Sequence, residues 1–514
     1  MTSSTTSDAS VADDEAPRPP LPKLPRSTLN DSLLPELYKW SLSHGLMVYK
    51  ENSTPNEATM VPLTAYPTPI PRKAFEAAID VQLPFNQLYA KISTVGTDQE
   101  SSFISKVSSK LAKSDPTFTG KLWTLQRKLF NQPSLQSFNL GIFRSDYLID
   151  KTNFSSIKQV EFNTISVSFA GFSNKVAQLH SHLNRLGLYD PSGKNKQVYF
   201  DEVPVSNPAN GFAKSMKKAI EFYSASSTYT TDRELVVAFI IQRNERNVFD
   251  QKCIEDELWE SYGIKSIRLT FDDVVNELEY VKNDDERRLI VKRTGQEIAV
   301  VYYRTGYTFD DYISEKDWDA RFFLEQSFAI KAPNLLTQLS GTKKIQQLLT
   351  DDKVLSQFIG DDEELRAKLN DTFVKIYPLD NTEMGEMGKK LATDPKLCEN
   401  YVLKPQREGG GNNIYKKDIP KFLSTLNENE WDAYILMELI HNEPSLDNII
   451  CRNDEIFPLP ILSELGIYGT IIFDDKGGIY YNHCPGWLLR SKFETSDEGG
   501  VVAGFGCLDS VFLY

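Results

Sequence analysis

The sequence is poor in cysteine and histidine, and neither residue forms a recognisable metal-binding or redox motif. There are five Cys and five His in 514 residues, and no two cysteines form a CxxC pair. An odd number of dispersed cysteines favours free thiols in a reducing compartment over a disulfide framework. The close pair His180 and His182 is expected to lie on the surface. A zinc site is therefore poorly supported.

Long apolar runs and net positive charge are also lacking. The run LVVAFII at 235–241 is far shorter than the roughly 18 residues that a membrane-spanning helix needs. There are 57 basic and 71 acidic residues, a net charge of −14, which disfavours general binding to nucleic acid or anionic membranes. Residues 1–16 contain neither the basic nor the apolar region of a targeting signal. We expect a cytoplasmic protein with no nucleic-acid or membrane partner.

The familiar nucleotide-binding motifs are absent too. Residues 341–344 (GTKK) lack the upstream glycine of a Walker P-loop and end in Lys rather than Ser or Thr. Residues 504–506 (GFG) lack the third glycine of a dinucleotide fingerprint, since Asp509 takes its place. Any nucleotide site must be built in another way.

The chain length predicts several packed units in a mixed α/β protein. Residues 1–30 are rich in Ser, Thr and Pro and are expected to form a disordered or polyproline arm. Residues 31–232 and 343–514 would form the two parts of a core. Residues 233–342 are expected to be an inserted three-layer α/β subdomain.

The insert is predicted from its hydrophobic periodicity. Residues 235–242, 264–270 and 298–303 each read as strands, and the i, i+4, i+8 spacing of Ile254, Leu258 and Tyr262 indicates a helix between the first two. Strand, helix and strand in this order favour parallel pairing. The C-terminal third is predicted to be mainly antiparallel sheet, with strands at 401–404 and 433–438 and a hairpin turning at 474–478 (DDKGG).

Residues 158–168 (KQVEFNTISVS) suggest a metal site. In a strand, Val160 and Phe162 would face the core and place Glu161 and Asn163 together on the opposite face. A carboxylate beside an amide oxygen suits Mg²⁺. A half-exposed strand without a ligand would have the same sequence pattern, so both interpretations stay open here.

Residues 402–415 (VLKPQREGGGNNIY) suggest an anion site. Three consecutive glycines let backbone N–H groups approach phosphate closely, and Lys404 and Arg407 flank Glu408. This favours a phosphate loop in which Glu408 binds Mg²⁺ over a simple hairpin tip. Arg144, Arg304, Arg490 and Lys492 are further candidates for binding carboxylate or phosphate, although each of them, taken singly, is more often a surface ion-pair residue. Arg304 directly follows the apolar run at 298–303, and α/β folds place ligand-binding groups at strand ends.

Together these segments resemble eukaryotic glutathione synthetase. The matching motifs are EFNTIS at 161–166, ERNVFDQ at 245–251, residues 402–415, SELG at 463–466, and LLRSK followed by GGVVAGFG. The resemblance extends from about residue 32 to the C-terminus. It implies an ATP-grasp fold with a glycine-rich lid at about 375–459, a homodimer, and ATP-dependent joining of γ-glutamylcysteine to glycine through an acyl phosphate.

The resemblance also implies residue roles. Two Mg²⁺ ions per site would be held by Glu161, Asn163 and Glu408. The residues implied to surround ATP are Glu161, Lys343, Lys404, Glu408, Gly409, Gly410, Gly411, Asn412, Asn413, Tyr415, Met437, Glu438, Leu439, Ile440, Glu464, Lys492 and Glu498. Those implied to bind γ-glutamylcysteine or glycine are Arg144, Ser166, Ser168, Glu245, Asn247, Gln251, Arg304, Tyr307, Arg490, Val501 and Val502. Those implied to be catalytic are Arg144, Lys404, Arg490 and Lys492.

The sequence departs from the family pattern at two positions, of which Val502 bears on the amine substrate. Val502 stands where Ala is frequent, near the expected glycine site, and Glu498 stands where Asp is common. The alternatives are a carboxylate–amine ligase of the same fold with another acid or amine, such as β-alanine, and a nucleotide-binding module without turnover.

Overall fold

The computed structural model describes residues 17–51, 54, 56–96, 99–153, 155–228, 230–406, 412–453, 455–497, 499–501 and 506–514. The α-helices are α1 (Arg26–Thr28), α2 (Leu34–Ser43), α3 (Arg72–Ile92), α4 (Phe103–Ser114), α5 (Thr119–Phe130), α6 (Ala170–Arg185), α7 (Pro208–Ser226), α8 (Val248–Tyr262), α9 (Phe271–Glu277), α10 (Glu315–Glu325), α11 (Leu335–Ser340), α12 (Lys343–Leu349), α13 (Asp352–Ile359), α14 (Glu363–Thr372), α15 (Glu383–Thr393) and α16 (Asp418–Leu423).

The strands are β1 (Met47–Tyr49), β2 (Ala58–Met60), β3 (Leu63–Thr64), β4 (Thr68–Ile70), β5 (Phe138–Ile149), β6 (Ile157–Asn163), β7 (Leu235–Ile240), β8 (Ser266–Leu269), β9 (Leu278–Tyr280), β10 (Leu289–Val291), β11 (Glu297–Tyr303), β12 (Ile330–Ala332), β13 (Ile376–Pro378), β14 (Tyr401–Pro405), β15 (Ile414–Tyr415), β16 (Tyr434–Glu438), β17 (Ile450–Arg452), β18 (Glu455–Phe457), β19 (Ile461–Asp474), β20 (Ile479–Phe493), β21 (Gly506–Asp509) and β22 (Val511–Leu513). The mixed α/β class predicted from the sequence is confirmed. Among the described helices, none combines the length and apolar character needed to cross a bilayer.

The largest sheet has eight strands in the order β18-β17-β3-β21-β20-β19-β5-β6. Its long β19–β20 hairpin turns at residues 474–478, as predicted. Helix α3 packs on one face, where Tyr89 stacks on Phe162 with ring centroids 3.9 Å apart. Helices α6 and α7 pack on the other face, where Phe212 meets Tyr468 edge-on. Both faces are therefore covered by helices.

The second sheet, in the order β8-β7-β11-β10-β9 with β12 paired to β11, spans the predicted insert. Strands β7, β8 and β11 and helix α8 confirm the elements expected there, and the β7–β8 and β7–β11 pairings are parallel, also as predicted. Helix α8 stops at Gly263, whose φ of 65° is the left-handed conformation that glycine adopts at helix ends. The strand β11 ends directly before Arg304, which places that guanidinium at a strand end.

A third sheet, β13-β16-β14-β15, is antiparallel and packs against α15 and α16. It carries the strands predicted at 401–404 and 433–438. Strands β17 and β18 fall inside the lid limits predicted at 375–459, but they belong to the eight-stranded sheet. The reason is long-range pairing, because Ile450 of β17 pairs with Thr64 of β3.

One predicted alternation fails within β6. Phe162 is buried as expected, but Val160 is only half-buried and Gln159 is buried in its place. The register explains this, since Asp146 pairs with Glu161 while Tyr147 pairs with Gln159. Val160 is the extra residue of a β-bulge, and bulges break the period of two.

The described part of the predicted N-terminal arm is packed against the rest of the chain. Leu21 is 3% exposed, the hydroxyl of Tyr199 donates to the Pro20 carbonyl, and Arg18 donates to the Pro444 carbonyl. The prediction of a disordered arm is therefore wrong for residues 17–30, because burial of Leu21 stabilises an ordered path. Residues 1–16 lie outside the described residues.

His180 is fully buried, so the expectation of a surface position is wrong for this residue. One ring nitrogen lies 2.9 Å from the Thr64 carbonyl and the other 2.7 Å from the Ser510 hydroxyl. These contacts join α6 to the eight-stranded sheet. His182 is partly exposed and pairs with Glu36.

Burial of His180 predicts a pH-dependent stability. Burial lowers the pKa of His180 from 6.5 to about 4 despite the bond to Thr64, so below pH 6.5 the unfolded chain gains a proton that the folded chain does not. This contribution is intact above the unfolded pKa and is lost as the pH falls. Between pH 7 and pH 5 the wild type should lose about 2 kcal/mol of unfolding free energy more than His180→Gln in urea titrations. Equal losses in the two proteins would contradict the assignment.

Candidate active site

Six polar side chains from four neighbouring strands form what we call the central cluster. Its members are Arg144, Asp146, Glu161, Asn163, Glu464 and Arg490. Arg144 pairs with Asn163 and Asp146 with Glu161 across β5 and β6, while Glu464 pairs with Arg490 across β19 and β20. Because side chains two residues apart share a face of a strand, the register places this set on one face of the sheet.

A glycine makes room for the cluster. Gly466 of β19 lies opposite Asp146, and a Cβ at this position would sit 2.8 Å from the Asp146 carboxylate and 2.9 Å from the Arg144 side chain. A larger residue would push both groups apart. The SELG motif therefore supplies one charged member of the cluster, Glu464, and the space for two others.

The cations of the cluster are tied to its carboxylates. Arg144 donates to both oxygens of Asp146, at 2.6 and 2.8 Å. Arg490 donates to Asp146 at 3.1 Å and also to Glu464. Burial would lower the pKa of Arg144, but the Asp146 charge raises it well above its ordinary value. Arg144 is therefore permanently charged.

Helix α12 and the third sheet add two lysines at Glu161. Lys343, the first residue of α12, is 4% exposed in its side chain and lies 2.9 Å from the Glu161 carboxylate. Lys404 of β14 donates to the Val160 carbonyl at 3.0 Å. Burial would raise the pKa of Glu161, but the charges of Lys343, Lys404 and Arg144 hold it well below its usual range.

The pKa of Glu464 is shifted in the opposite direction to that of Glu161. Burial, together with the negative charges of Asp146 and Glu161, raises the pKa of Glu464 although Arg490 opposes the shift. Three carboxylates on one face of the sheet are thus surrounded by four cations, two on the same face and two from α12 and the third sheet. This is the arrangement expected where charge is concentrated for binding a polyanion and its counterion.

An apolar surface lies beside Lys404 on the third sheet. Val402, Ile435 and Met437 pack together with Ile376, and the partly buried Tyr415, Leu439 and Ile440 border them. Since Val402 and Lys404 are two residues apart, the lysine lies on the same face as this surface. An apolar patch ending in a lysine can accept a flat aromatic ring with a phosphate chain attached. Asn413 donates to the Tyr415 hydroxyl at 3.3 Å.

A second group of predicted residues meets at the insert. Arg304 is 4% exposed and donates to the Val167 carbonyl and the Ser168 hydroxyl, each at 2.6 Å. Ser166, with a φ of 54°, donates to the Tyr303 carbonyl at 3.1 Å. Tyr468, opposite Arg144, donates to the Ser168 carbonyl at 2.6 Å. The loop after β6 therefore connects this group to the central cluster.

The remaining insert residues form a polar wall beside Arg304. Glu245 accepts from the Asn247 backbone at 2.8 Å and from the Gln251 amide at 2.6 Å, and Gln242 donates to the Tyr307 hydroxyl at 2.9 Å. Among the described residues, the buried Arg304 Nε and Asn247 Oδ1 have no hydrogen-bond partner. An unused donor and an unused acceptor fit a ligand that carries both a carboxylate and an ammonium group.

The chain is similar to known proteins of one family. The family model described as eukaryotic glutathione synthase, ATP binding domain, matches residues 27–513. The chain belongs to the eukaryotic glutathione synthetase family. It is 37% identical to the glutathione synthetase large chain of Schizosaccharomyces pombe, over 92% of this chain and 96% of that one. It is 35% identical to the glutathione synthetase of Homo sapiens, over 92% and 94% of the two chains.

A solved structure supports the fold of the family. The glutathione synthetase like-effector from Globodera pallida, in its apo form, superposes with a TM-score of 0.71 at 22% identity and covers 97% of this chain and 100% of that one. A chloroplastic glutathione synthetase of Arabidopsis thaliana is 36% identical over 92% of this chain and 84% of its own length.

Several predicted residues of the glutathione synthetase site lie outside the described residues: Glu408, Gly409, Gly410, Gly411, Glu498 and Val502. Lys492 is two residues from Arg490 on β20 and donates to the Asp497 carbonyl at 2.6 Å. Val501 is 3% exposed. Glu438 ends β16 and is half-buried.

Two buried aspartates were missed by the sequence analysis. Asp146 is a member of the central cluster, and its position two residues after Arg144 in a strand was the signal that could have found it. Asp250 accepts from the backbone N–H groups of Phe169, Gly171 and Phe172 at 2.7–3.1 Å and so holds the start of α6. No local sequence pattern indicates that role, because its partners lie at the start of α6, about 80 residues earlier in the chain.

The hydrogen bonds of Asn163 show which of its side-chain atoms is left for a magnesium ion. The Asn163 amide nitrogen donates to Asp146 at 3.0 Å and to the Arg144 carbonyl at 3.3 Å, so the amide oxygen is the atom left for a cation. Together with the neighbouring Glu161 this gives two oxygen ligands, which fits Mg²⁺. Within the described ranges, no group of three or more His, Cys, Asp or Glu is arranged as a metal site.

Proposed function

We propose that this chain joins γ-glutamylcysteine to glycine with cleavage of ATP to ADP and phosphate, forming glutathione through an acyl phosphate. The observation that carries the proposal is the meeting of Lys343 and Lys404 at Glu161, on the sheet face that also holds Arg144 and Arg490. Two lysines suited to phosphate, a carboxylate suited to a metal ion and two arginines suited to carboxylates therefore lie close together, which supports the proposal.

The proposed nucleotide site lies between the third sheet and the eight-stranded sheet. Met437, Glu438, Leu439 and Ile440 would receive adenine by apolar contact and backbone hydrogen bonds. Lys343 and Lys404 would neutralise the phosphates, with Lys492, Glu464 and the segment 408–415 around them. Glu161, Asn163 and Glu408 would hold Mg²⁺, which supplies charge neutralisation of the transferring phosphoryl group.

The proposed acid substrate lies between the central cluster and the insert. Arg304 and Asn247 would bind the α-carboxylate and the ammonium of the γ-glutamyl head through their unused Nε and Oδ1 atoms. Glu245, Gln251 and Tyr307 complete this wall, and Ser166 and Ser168 border it. Arg144 would then orient the cysteinyl carboxylate for phosphorylation.

The reaction needs activation because a carboxylate has no good leaving group. Transfer of the γ-phosphoryl group to the cysteinyl carboxylate forms an acyl phosphate, and the glycine amine then displaces phosphate. Lys343, Lys404 and Arg144 stabilise the charge that spreads over the phosphoryl oxygens during transfer. Arg490, with the backbone near Val501 and Val502, would bind the glycine carboxylate beside the reacting carbon.

Water must be excluded because acyl phosphates hydrolyse. The third sheet and the glycine-rich segment are proposed to act as a lid that closes over bound ATP. No protein nucleophile is required. This is compatible with the thiols, since burial raises the pKa of Cys253, to about 11, and of Cys451, to about 12.

The direct test is phosphate release by the purified chain with ATP, Mg²⁺ and γ-glutamylcysteine, with and without glycine. Glycine-dependent phosphate release in equal amounts with tripeptide is expected. Phosphate release with β-alanine in place of glycine would reassign the amine, and no amine-dependent release with either would reject the ligase proposal.

A homodimer and a cytoplasmic location complete the proposal. The homodimer rests on the family resemblance, and sedimentation velocity should give a mass of about twice 58.4 kDa. The cytoplasmic location rests on the free thiols of all five cysteines. A fluorescent fusion in the cell of origin should be diffuse, whereas an organellar pattern would contradict it.

A further inference from the structure

Asp146 connects residues that the proposed function assigns to three different ligands. It is fully buried and accepts four hydrogen bonds: two from Arg144, one from Arg490 at 3.1 Å and one from the Asn163 amide at 3.0 Å. These partners belong to the proposed sites for the acid substrate, for glycine and for Mg²⁺. Asp146 itself has no assigned role in any of them.

The pattern of contacts fixes which atoms of each partner remain for ligands. Asp146 accepts hydrogen bonds from Nε and Nη2 of Arg144. The remaining terminal nitrogen, Nη1, has no acceptor in the described part of the chain. Asp146 also accepts from the Asn163 amide nitrogen, so the amide oxygen is left for a cation. One terminal nitrogen of Arg490 donates to both Asp146 and Glu464. Among the described residues, Asp146 is thus the one carboxylate that takes part in orienting all three of these side chains.

We propose that Asp146 is a positioning residue of the ligase, which orients Arg144, Asn163 and Arg490 together and thereby couples the acid, metal and amine sites. This inference rests on the proposed function. All four contacts of Asp146 come from donors. An asparagine would offer an acceptor at only one of its two positions, so its amide nitrogen would face at least one of these donors.

The test is Asp146→Asn in the full chain, compared with Asp284→Asn. Asp284 is a matched control, because its carboxylate is also buried and accepts from a buried arginine, Arg288, at 2.9 Å, but in the turn between β9 and β10 of the insert. Both variants should lower the melting temperature. The readouts are kcat/KM for γ-glutamylcysteine and for glycine, and the calorimetric affinity for Mg²⁺ with the non-hydrolysable ATP analogue AMPPNP.

For Asp146→Asn we expect kcat/KM for both substrates to fall roughly 10- to 100-fold and the affinity for Mg²⁺·AMPPNP to fall about 10-fold. Asp284→Asn should change none of these values by more than about twofold, since Asp284 pairs with Arg288 and not with a residue of the central cluster. If Asp146→Asn keeps the wild-type affinity for Mg²⁺·AMPPNP and the wild-type kcat/KM for both substrates, the positioning role is wrong, whatever happens to its melting temperature.

A second variant covers the case in which Asp146→Asn does not fold. Asp146→Glu keeps the charge and all acceptors but displaces them by one methylene, so it should fold and still weaken Mg²⁺·AMPPNP binding and raise the KM for glycine. Wild-type values would overturn the inference. If the wild-type chain binds Mg²⁺·AMPPNP but forms no peptide, the proposed function fails, and the calorimetric comparison alone decides the role of Asp146.

Discussion

Replacement of Glu161 by Gln is expected to lower kcat by at least about 10²-fold. The neutral amide removes a proposed Mg²⁺ ligand and also leaves the charges of Lys343 and Lys404 without their common carboxylate. The substitution keeps the size of the side chain, so the sheet should be preserved. The measurement is kcat for glycine-dependent phosphate release at saturating ATP, with Mg²⁺ varied.

A suitable control is Glu234→Gln, because Glu234 also pairs with a lysine, Lys265, at 2.8 Å, but at the start of the insert. Its kcat should stay near that of the wild type. Turnover of Glu161→Gln within threefold of the wild type would show that the carboxylate does not bind the metal during phosphoryl transfer.

Arg304→Lys should raise the KM for γ-glutamylcysteine by about 10²-fold, while the KM for ATP stays within twofold of the wild type. The guanidinium donates to the Val167 carbonyl and the Ser168 hydroxyl through its terminal nitrogens, and its Nε is left for the proposed contact with the γ-glutamyl head. A lysine ammonium cannot reproduce that fork. Steady-state kinetics with each substrate varied in turn separates the two constants.

Arg288→Lys provides the matched control, as Arg288 is also buried in the insert and is bonded to Asp284. It should destabilise the fold without changing either KM. If Arg304→Lys raises the two KM values equally, Arg304 supports the whole site rather than the γ-glutamyl head.

Local sequence patterns were sufficient for much of the fold. The apolar runs at β7 and β11 and the turn at residues 474–478 are short-range signals, and they appear where they were predicted. The bulge at Val160 could not be predicted, since it is a property of the pairing between β5 and β6. The same holds for the pairing of β17 with β3 and for the burial of Leu21, which depend on distant partners.

Local sequence patterns also predicted some residues of the candidate site and missed others. Glu161 and Asn163 were found from their alternation, and Arg304 from its position after an apolar strand. Asp146 was missed although its spacing from Arg144 already placed both on one face of a strand. Asp250 had no such signal. Glu408 and the three glycines after it lie outside the described residues, so their roles stay predictions.

The most direct test of the central claim is an isotope-transfer experiment with γ-glutamylcysteine labelled with ¹⁸O in its cysteinyl carboxylate. If that carboxylate is phosphorylated by ATP before glycine attacks, one ¹⁸O atom should appear in each phosphate released, as measured by mass spectrometry or by the ³¹P isotope shift. Unlabelled phosphate formed together with tripeptide would contradict the account, because the carboxylate would then have been activated without bonding to phosphorus.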